Sequence, residues 1–141
     1  MVAAVHRIVA ALLRRDGRLL LVRQQGPGDP EPSWMLPGGR VEEGEKLAGA
    51  LARELREETG LRLVGRPHVA FEADVETAEG AYHATTFSCD ADGTLAPADP
   101  DRFVDRAEWV PVAEALERLR CVEWYDCGPI ERYLSESASD A

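Results

Sequence analysis

Three glutamates, Glu54, Glu57 and Glu58, stand within five residues and directly follow Arg53. On a helical wheel of about 100° per residue they fill an arc of about 100° that borders and slightly overlaps the apolar face. Like charges at i, i+4, here Glu54 and Glu58, cost a helix roughly 0.2–0.5 kcal/mol, and negative charge near a helix C-terminus opposes the macrodipole. The cluster is therefore unfavourable unless a cation occupies it. Mg2+ is the natural occupant, because it takes oxygen ligands, keeps several waters and bridges carboxylates to phosphates. Arg53, about 40° from Glu57 on the wheel, can hold that carboxylate by a charge-assisted bond. Taken alone, "RELREE" is most often a solvated helix face with i, i+4 pairs, and it is the frame around it that points to a cation.

The elements around the cluster give it a frame. Apolar residues at 47, 48, 51, 52 and 55 predict a helix over Glu45 to Thr59, and Gly60 follows where a left-handed cap is wanted. Gly38-Gly39 precedes it, a place where backbone without Cβ can approach a ligand closely. Upstream, Ile8 to Leu13 and Leu19 to Val22 predict a hairpin around the Asp16-Gly17 turn. "GPGDPEPS", Gly26 to Ser33, is a loop held between Arg23 and Trp34. Downstream, "LRLVGRPHVAFEADV", "AYHATTFSCD" and "AEWVPV" predict strands, Asp90 to Asp101 a long acidic loop, and "VAEALERLR" and "GPIERYLSES" two further helices.

The chain of 141 residues has the length of one domain, so 1–141 is expected to fold as one mixed α/β (α+β) unit whose tail after about 135 is disordered. No segment approaches the ~20 apolar residues of a membrane span, and the patch Ile8 to Leu13 reads as a strand and not as a signal. Cys89, Cys121 and Cys127 show neither a disulfide nor a zinc pattern, which predicts reduced thiols in a cytoplasmic setting. A formal charge of -10 argues against a nucleic-acid partner, so a protein of this charge that handles phosphates needs another source of positive charge.

From Gly39, five residues lead to Glu45, seven more to Arg53-Glu54, then Leu55, one residue, Glu57-Glu58, one residue, Gly60 and Leu61. This resembles the Nudix box, G-x5-E-x7-R-E-U-x-E-E-x-G-U with U apolar, at every defined position. "LLLVRQ", "WMLPGG" and "AEWVPV" also look like strands of the Nudix hydrolase (MutT-like) family, extending the resemblance over roughly Ile8 to Leu119. The resemblance implies a mixed β-sheet sandwiched between helices, with the box as loop-helix-loop. It implies hydrolysis of a nucleoside diphosphate linked to another group, using Mg2+ or Mn2+, with a nucleoside triphosphate or a nucleotide sugar such as ADP-ribose as substrate. Glu54, Glu57 and Arg53 are the implied catalytic group. Glu54, Glu57 and Glu58 are the implied metal ligands, with the Gly38 carbonyl as a further one. Glu45 and Gly60 have implied structural roles, Glu45 as partner of Arg53.

Many members add an acid from the loop before the last strand. Here Asp101 and Asp105 are the candidates, with solvated loop acids as the plain alternative. Arg23, Trp34 and Gly39 are the candidate substrate contacts: Trp34 could stack on a base and Arg23 hold a phosphate, although Trp34 also fits a packed core position. His6, His68 and His83 are isolated in strand-like segments and are read as packed or surface residues. A homodimer is a candidate assembly. The alternative function is a non-catalytic nucleotide-binding or regulatory module on the same fold. An isopentenyl-diphosphate-type isomerase is disfavoured, since all three cysteines follow the box.

Overall fold

The computed structural model describes residues 6–77, 80–122 and 126–136. Strand β1 (His6–Leu12) buries both faces, Val9 and Ala11 in one core and Ala10 and Leu12 in the other. A strand buried on both sides needs a neighbour on each edge. Its neighbours are β5 (Gly38–Arg40), antiparallel, and β7 (Gly80–Asp92), parallel from His6 opposite Tyr82 to Leu12 opposite Ser88. Beyond β7 lies β6 (Arg62–Thr77), completing the order β5-β1-β7-β6. Gly65 and Pro67 interrupt the β6–β7 register, and the outer position of β6 tolerates the missing proline N–H.

The chain leaves this sheet at Leu13. The short strand β2 (Arg14–Arg15) turns through Asp16 (φ 51°) and Gly17 (φ 75°) into β3 (Arg18–Gln24). Both central residues have the positive φ of a two-residue hairpin turn. The expected hairpin is thus corrected: Arg14 and Arg15 pair with β3 and the Leu13 carbonyl accepts the Leu20 N–H at 3.0 Å, while Ile8 to Leu12 belong to the first sheet. The turn residues were legible, but strand partners are chosen by burial on both faces. β3 is the centre of a second sheet, flanked by β4 (Ser33–Met35) and by β8 (Val104–Pro111), both antiparallel.

Helix α1 (Leu47–Thr59) packs Leu51 and Leu55, at 0% and 1% exposure, onto Val9, Ala11, Leu20 and Phe87. On the other side α2 (Val112–Arg120) and α3 (Gly128–Glu136) bring Ala115, Leu119, Ile130 and Leu134 onto Leu12, Leu19 and Leu21. Alternate residues of β3 therefore feed opposite cores, as a period of two requires. The result is a mixed α+β sandwich with sheets between helices. Burying each of these leucines contributes about 1.5–3 kcal/mol. No described helix is long and apolar enough to cross a membrane. Cys89, Cys121 and Cys127 are free thiols, and burial pushes Cys89 up to about 12. The tail from residue 137 on lies outside the described residues.

Candidate active site

The helix starts at Leu47 and not at Glu45 as its periodicity predicts. Glu45 is held in the preceding loop because its carboxylate is already engaged. Its Oε1 accepts the Glu42 N–H at 2.9 Å, and both its oxygens take the Arg53 guanidinium, at 2.8 and 3.0 Å. The same guanidinium donates to the Arg40 carbonyl at 3.0 Å, Glu54 at 3.0 Å and Glu57 at 3.4 Å. Arg53 thus ties the loop before α1 to two of the three glutamates at its end. The fork pulls Glu45 down to about 2, and Glu45 raises Arg53 in return.

The three glutamates differ in environment. Glu58 is 8% exposed, and its Oε1 accepts the Gly38 N–H at 2.8 Å. Burial pushes it up to about 8 against that hydrogen bond, with Glu54, Asp99 and Glu57 adding to the rise. Burial also raises Glu54, opposed by Arg53. Glu57 shares Arg53 Nη1 with Glu54. Gly39 is fixed by contact: a Cβ there would lie 2.6 Å from the Glu54 carboxyl. The register Val9 opposite Gly39, with Ala11 N–H on the Pro37 carbonyl and Val41 N–H on the Arg7 carbonyl, turns the N–H and C=O of Gly38 away from β1. The carbonyl of Gly38 therefore faces the side where its N–H meets Glu58.

The three carboxylates are hard oxygen donors, and burial penalises the charged forms of Glu54 and Glu58, the chemistry that a divalent cation relieves. Glu54, Glu57, Glu58 and the Gly38 carbonyl are the groups that fit such an ion. As they lie, no three acidic, His or Cys side chains among the described residues converge on one point, because Arg53 and the Gly38 N–H hold the carboxylates.

The loop after β7 closes the end of α1. Gly60, at φ 80°, donates to the Arg56 carbonyl, while the N–H groups of Ala96 and Ala98 take the Thr59 and Glu57 carbonyls at 2.8 Å each. This loop carries an acid that sequence reasoning passed over. Asp99 acts electrostatically on both Glu54 and Glu58, and its own oxygens accept the N–H groups of Asp101, Phe103 and Val104. Its signal was the Asp99-Pro100 turn dipeptide. The two acids expected instead are placed differently. Asp101 is exposed at the loop tip. Asp105 is drawn onto Arg23, with Nε to Oδ1 at 3.0 Å and Nη2 to Oδ2 at 2.5 Å. Arg23 and Asp105, expected as separate site residues, are each other's partners. Trp34 packs against the core of α2 and α3, with the Arg118 guanidinium 4.4 Å over its ring, so that face is taken.

A three-layer sandwich in which one helix ends in three glutamates, Glu58 buried and Glu54 and Glu57 half-buried, beside a Gly-Gly backbone has the donor set of a phosphate-handling class of fold. The NUDIX domain family matches residues 4–126, and the chain belongs to that family. The CTP pyrophosphohydrolase of Escherichia coli K12 is 41% identical over 63 residues, 45% of this chain and 47% of that protein. The chain thus spans less than half the length of that relative. Among solved structures, a MutT protein from Methanosarcina mazei is 27% identical with a TM-score of 0.72, covering 94% of each chain. A NUDIX hydrolase from Nitrosomonas europaea has a TM-score of 0.77 at 23% identity, over 97% of this chain and 90% of that one.

Proposed function

We propose that this protein is a hydrolase of phosphoanhydride bonds in nucleoside diphosphate derivatives, dependent on Mg2+ or Mn2+. The observation that carries this is the cluster in which Glu58 accepts the Gly38 N–H, Glu54 occupies the space beside Gly39 and Glu57 shares Arg53 with Glu54, in a protein of charge -10. A divalent ion bound there supplies charge neutralisation on the phosphoryl oxygens and a water of lowered pKa. The residues of the chain do the rest. Glu54, Glu57 and Glu58, with the Gly38 carbonyl, hold the ion. Arg53 keeps Glu54 and Glu57 oriented from the loop side, as a positioning residue anchored by Glu45. Gly39 leaves Glu54 its room. Asp99, on the loop seated against the end of α1, joins Asp101 and Asp105 as a loop acid available to take a proton from attacking water. The likeness to the CTP pyrophosphohydrolase of Escherichia coli supports a nucleoside triphosphate as substrate over a nucleotide sugar.

The test is a screen of nucleoside triphosphates, nucleotide sugars and dinucleoside polyphosphates, read as phosphate released with added phosphatase. Hydrolysis that requires Mg2+ or Mn2+ and falls at least about 100-fold in Glu58→Gln supports the reading, the scale expected when an electrostatic group at the reacting centre is lost. Nucleotide binding without turnover would replace it with the binding-module alternative.

A further inference from the structure

We propose that a cleft beside the acidic cluster, lined by Arg23, Gln25, Pro32, Arg102, Phe103 and Asp105, receives the nucleobase of the substrate and selects bases that carry a ring carbonyl. The proposal rests on reading the box as a nucleoside-diphosphate site.

The cleft lies between the loop after β3 and the loop entering β8, and encloses about 240 Å3. Sites that engulf a whole drug-sized ligand span about 300–1,000 Å3. The cleft therefore suits one ring system, not a whole nucleotide. Its wall is tied to the end of α1: the Ala98 N–H donates to the Glu57 carbonyl at 2.8 Å, and the adjacent Asp99 accepts the N–H groups of Phe103 and Val104 at 2.9 Å each. A nucleotide with its diphosphate at the glutamates has its base carried toward this wall.

The cleft is built by several independent constraints. Arg102 sits at φ 60°, a left-handed conformation that a side-chain-bearing residue adopts only when its surroundings fix it. The Gln25 N–H reaches across to the Phe103 carbonyl at 2.8 Å. Gln24 pairs with Val104 and Arg23 with Arg106, so Asp105 is the extra residue of a β-bulge. Bulges re-aim side chains beside functional sites. Here the bulge turns Asp105 onto Arg23, forming a two-point fork. Phe103 is 44% exposed and is the aromatic member of the three large apolar side chains left exposed among the described residues. An aromatic face left open at the mouth of a polar cleft suits base stacking, which does not depend on base identity.

Base identity is read by the edges. Arg23 and Arg102 offer only donors, and Asp105 takes two of the five N–H groups of Arg23. Donors of this kind pair with a ring carbonyl, as in guanine, cytosine and uracil, and in guanine and uracil Asp105 can also accept from the ring N–H beside that carbonyl. Adenine has no carbonyl. A site built to hydrogen-bond a group discriminates against the analogue that lacks it, since its own polar groups are left unpaired.

The experiment compares kcat/KM for GTP, CTP, UTP and ATP and, separately, calorimetric binding of GMP, CMP, UMP and AMP. Adenine nucleotides are expected to be at least about tenfold poorer by both measures. Phe103→Ala is expected to weaken binding of the carbonyl-bearing monophosphates about 5- to 150-fold and to raise KM more than it lowers kcat. Asp105→Asn, which keeps the shape, is expected to narrow the preference among bases. AMP binding equal to the others, or both variants binding as the parent does, overturns the proposal. Hydrolysis indifferent to the base and to both substitutions leaves the hydrolase standing without this cleft. Phe103-dependent binding without hydrolysis leaves the cleft standing without the hydrolase.

Discussion

Gly60 offers a test of how the end of α1 is held, because two other glycines separate the effects that meet there. At Gly60 (φ 80°) an added Cβ would lie 2.7 Å from the Ala96 carbonyl oxygen and 2.8 Å from its nitrogen. At Gly44 (φ 81°) the same addition meets nothing within 4 Å. Gly49, exposed in the first turn of α1, has neither a positive φ nor a close neighbour. Gly44→Ala therefore carries backbone strain alone, about 1–2 kcal/mol. Gly60→Ala carries the same strain plus overpacking against backbone that cannot rotate away, a further ~1–3 kcal/mol. Gly49→Ala removes a helix-weakening glycine and is expected to stabilise by about 0.5–1 kcal/mol. For a chain of this length 1 kcal/mol moves Tm by roughly 3–4 °C. The expected Tm changes are losses of about 3–8 °C for Gly44→Ala and about 6–20 °C for Gly60→Ala, and a gain of about 2–4 °C for Gly49→Ala. Thermal unfolding followed by circular dichroism, with urea midpoints as a check, reads all three. A Gly60→Ala loss no larger than that of Gly44→Ala would refute the reasoning, since the loop would then not be seated on the helix end. Loss of kcat/KM in Gly60→Ala should accompany the loss of stability, because the displaced loop carries Asp99.

Gly39→Ala places a Cβ 2.6 Å from the Glu54 carboxyl, the mobile end of a side chain; turnover is expected to fall at least about tenfold while Tm shifts by less than about 3 °C, and an unchanged rate would show that the position of Glu54 is immaterial. EDTA is expected to abolish hydrolysis and Mg2+ or Mn2+ to restore it, with metal-independent turnover pointing to another mechanism. Glu45, whose folded-state value lies near 2 against an ordinary 4.5, contributes stability that is complete above pH 4.5 and lost as pH falls toward 2. Arg53→Met removes that dependence, so urea midpoints across this window should fall less steeply with acid than in the parent; parallel slopes would show that the fork does not bear on folding. Asp99→Asn keeps most of the loop's hydrogen-bonding shape but removes its charge, and is expected to lower kcat more than it raises KM, with equal effects on both arguing for a purely structural role.

Local physics was legible where it acts over a few residues. The 3.6-residue period gave α1 and α2, Gly60 gave a helix end, and Asp16-Gly17 gave a turn with positive φ at both residues. The spacing of Arg53, Glu54, Glu57 and Glu58 put their side chains on one arc of the helix, and the charge conflict there pointed to a cation before any tertiary contact was known. The start of α1 was misjudged by two residues because Glu45 is bonded to a partner eight positions away, a contact that periodicity does not register. The hairpin was misjudged because β1 pairs with β7, more than seventy residues on, and choice of partner depends on which strand covers which face.

The sequence by itself determined the acidic helix, its glycine frame and the membership that both imply, since these depend on residue type and spacing along one segment. Only the tertiary structure decided that Glu58 is buried against Gly38, that Asp99 braces the loop seated on the end of α1, and that Arg23 is held by Asp105. Each is a meeting of residues far apart in the chain. A charge acts through space on whatever the fold brings near it, and a sequence orders residues along only one dimension.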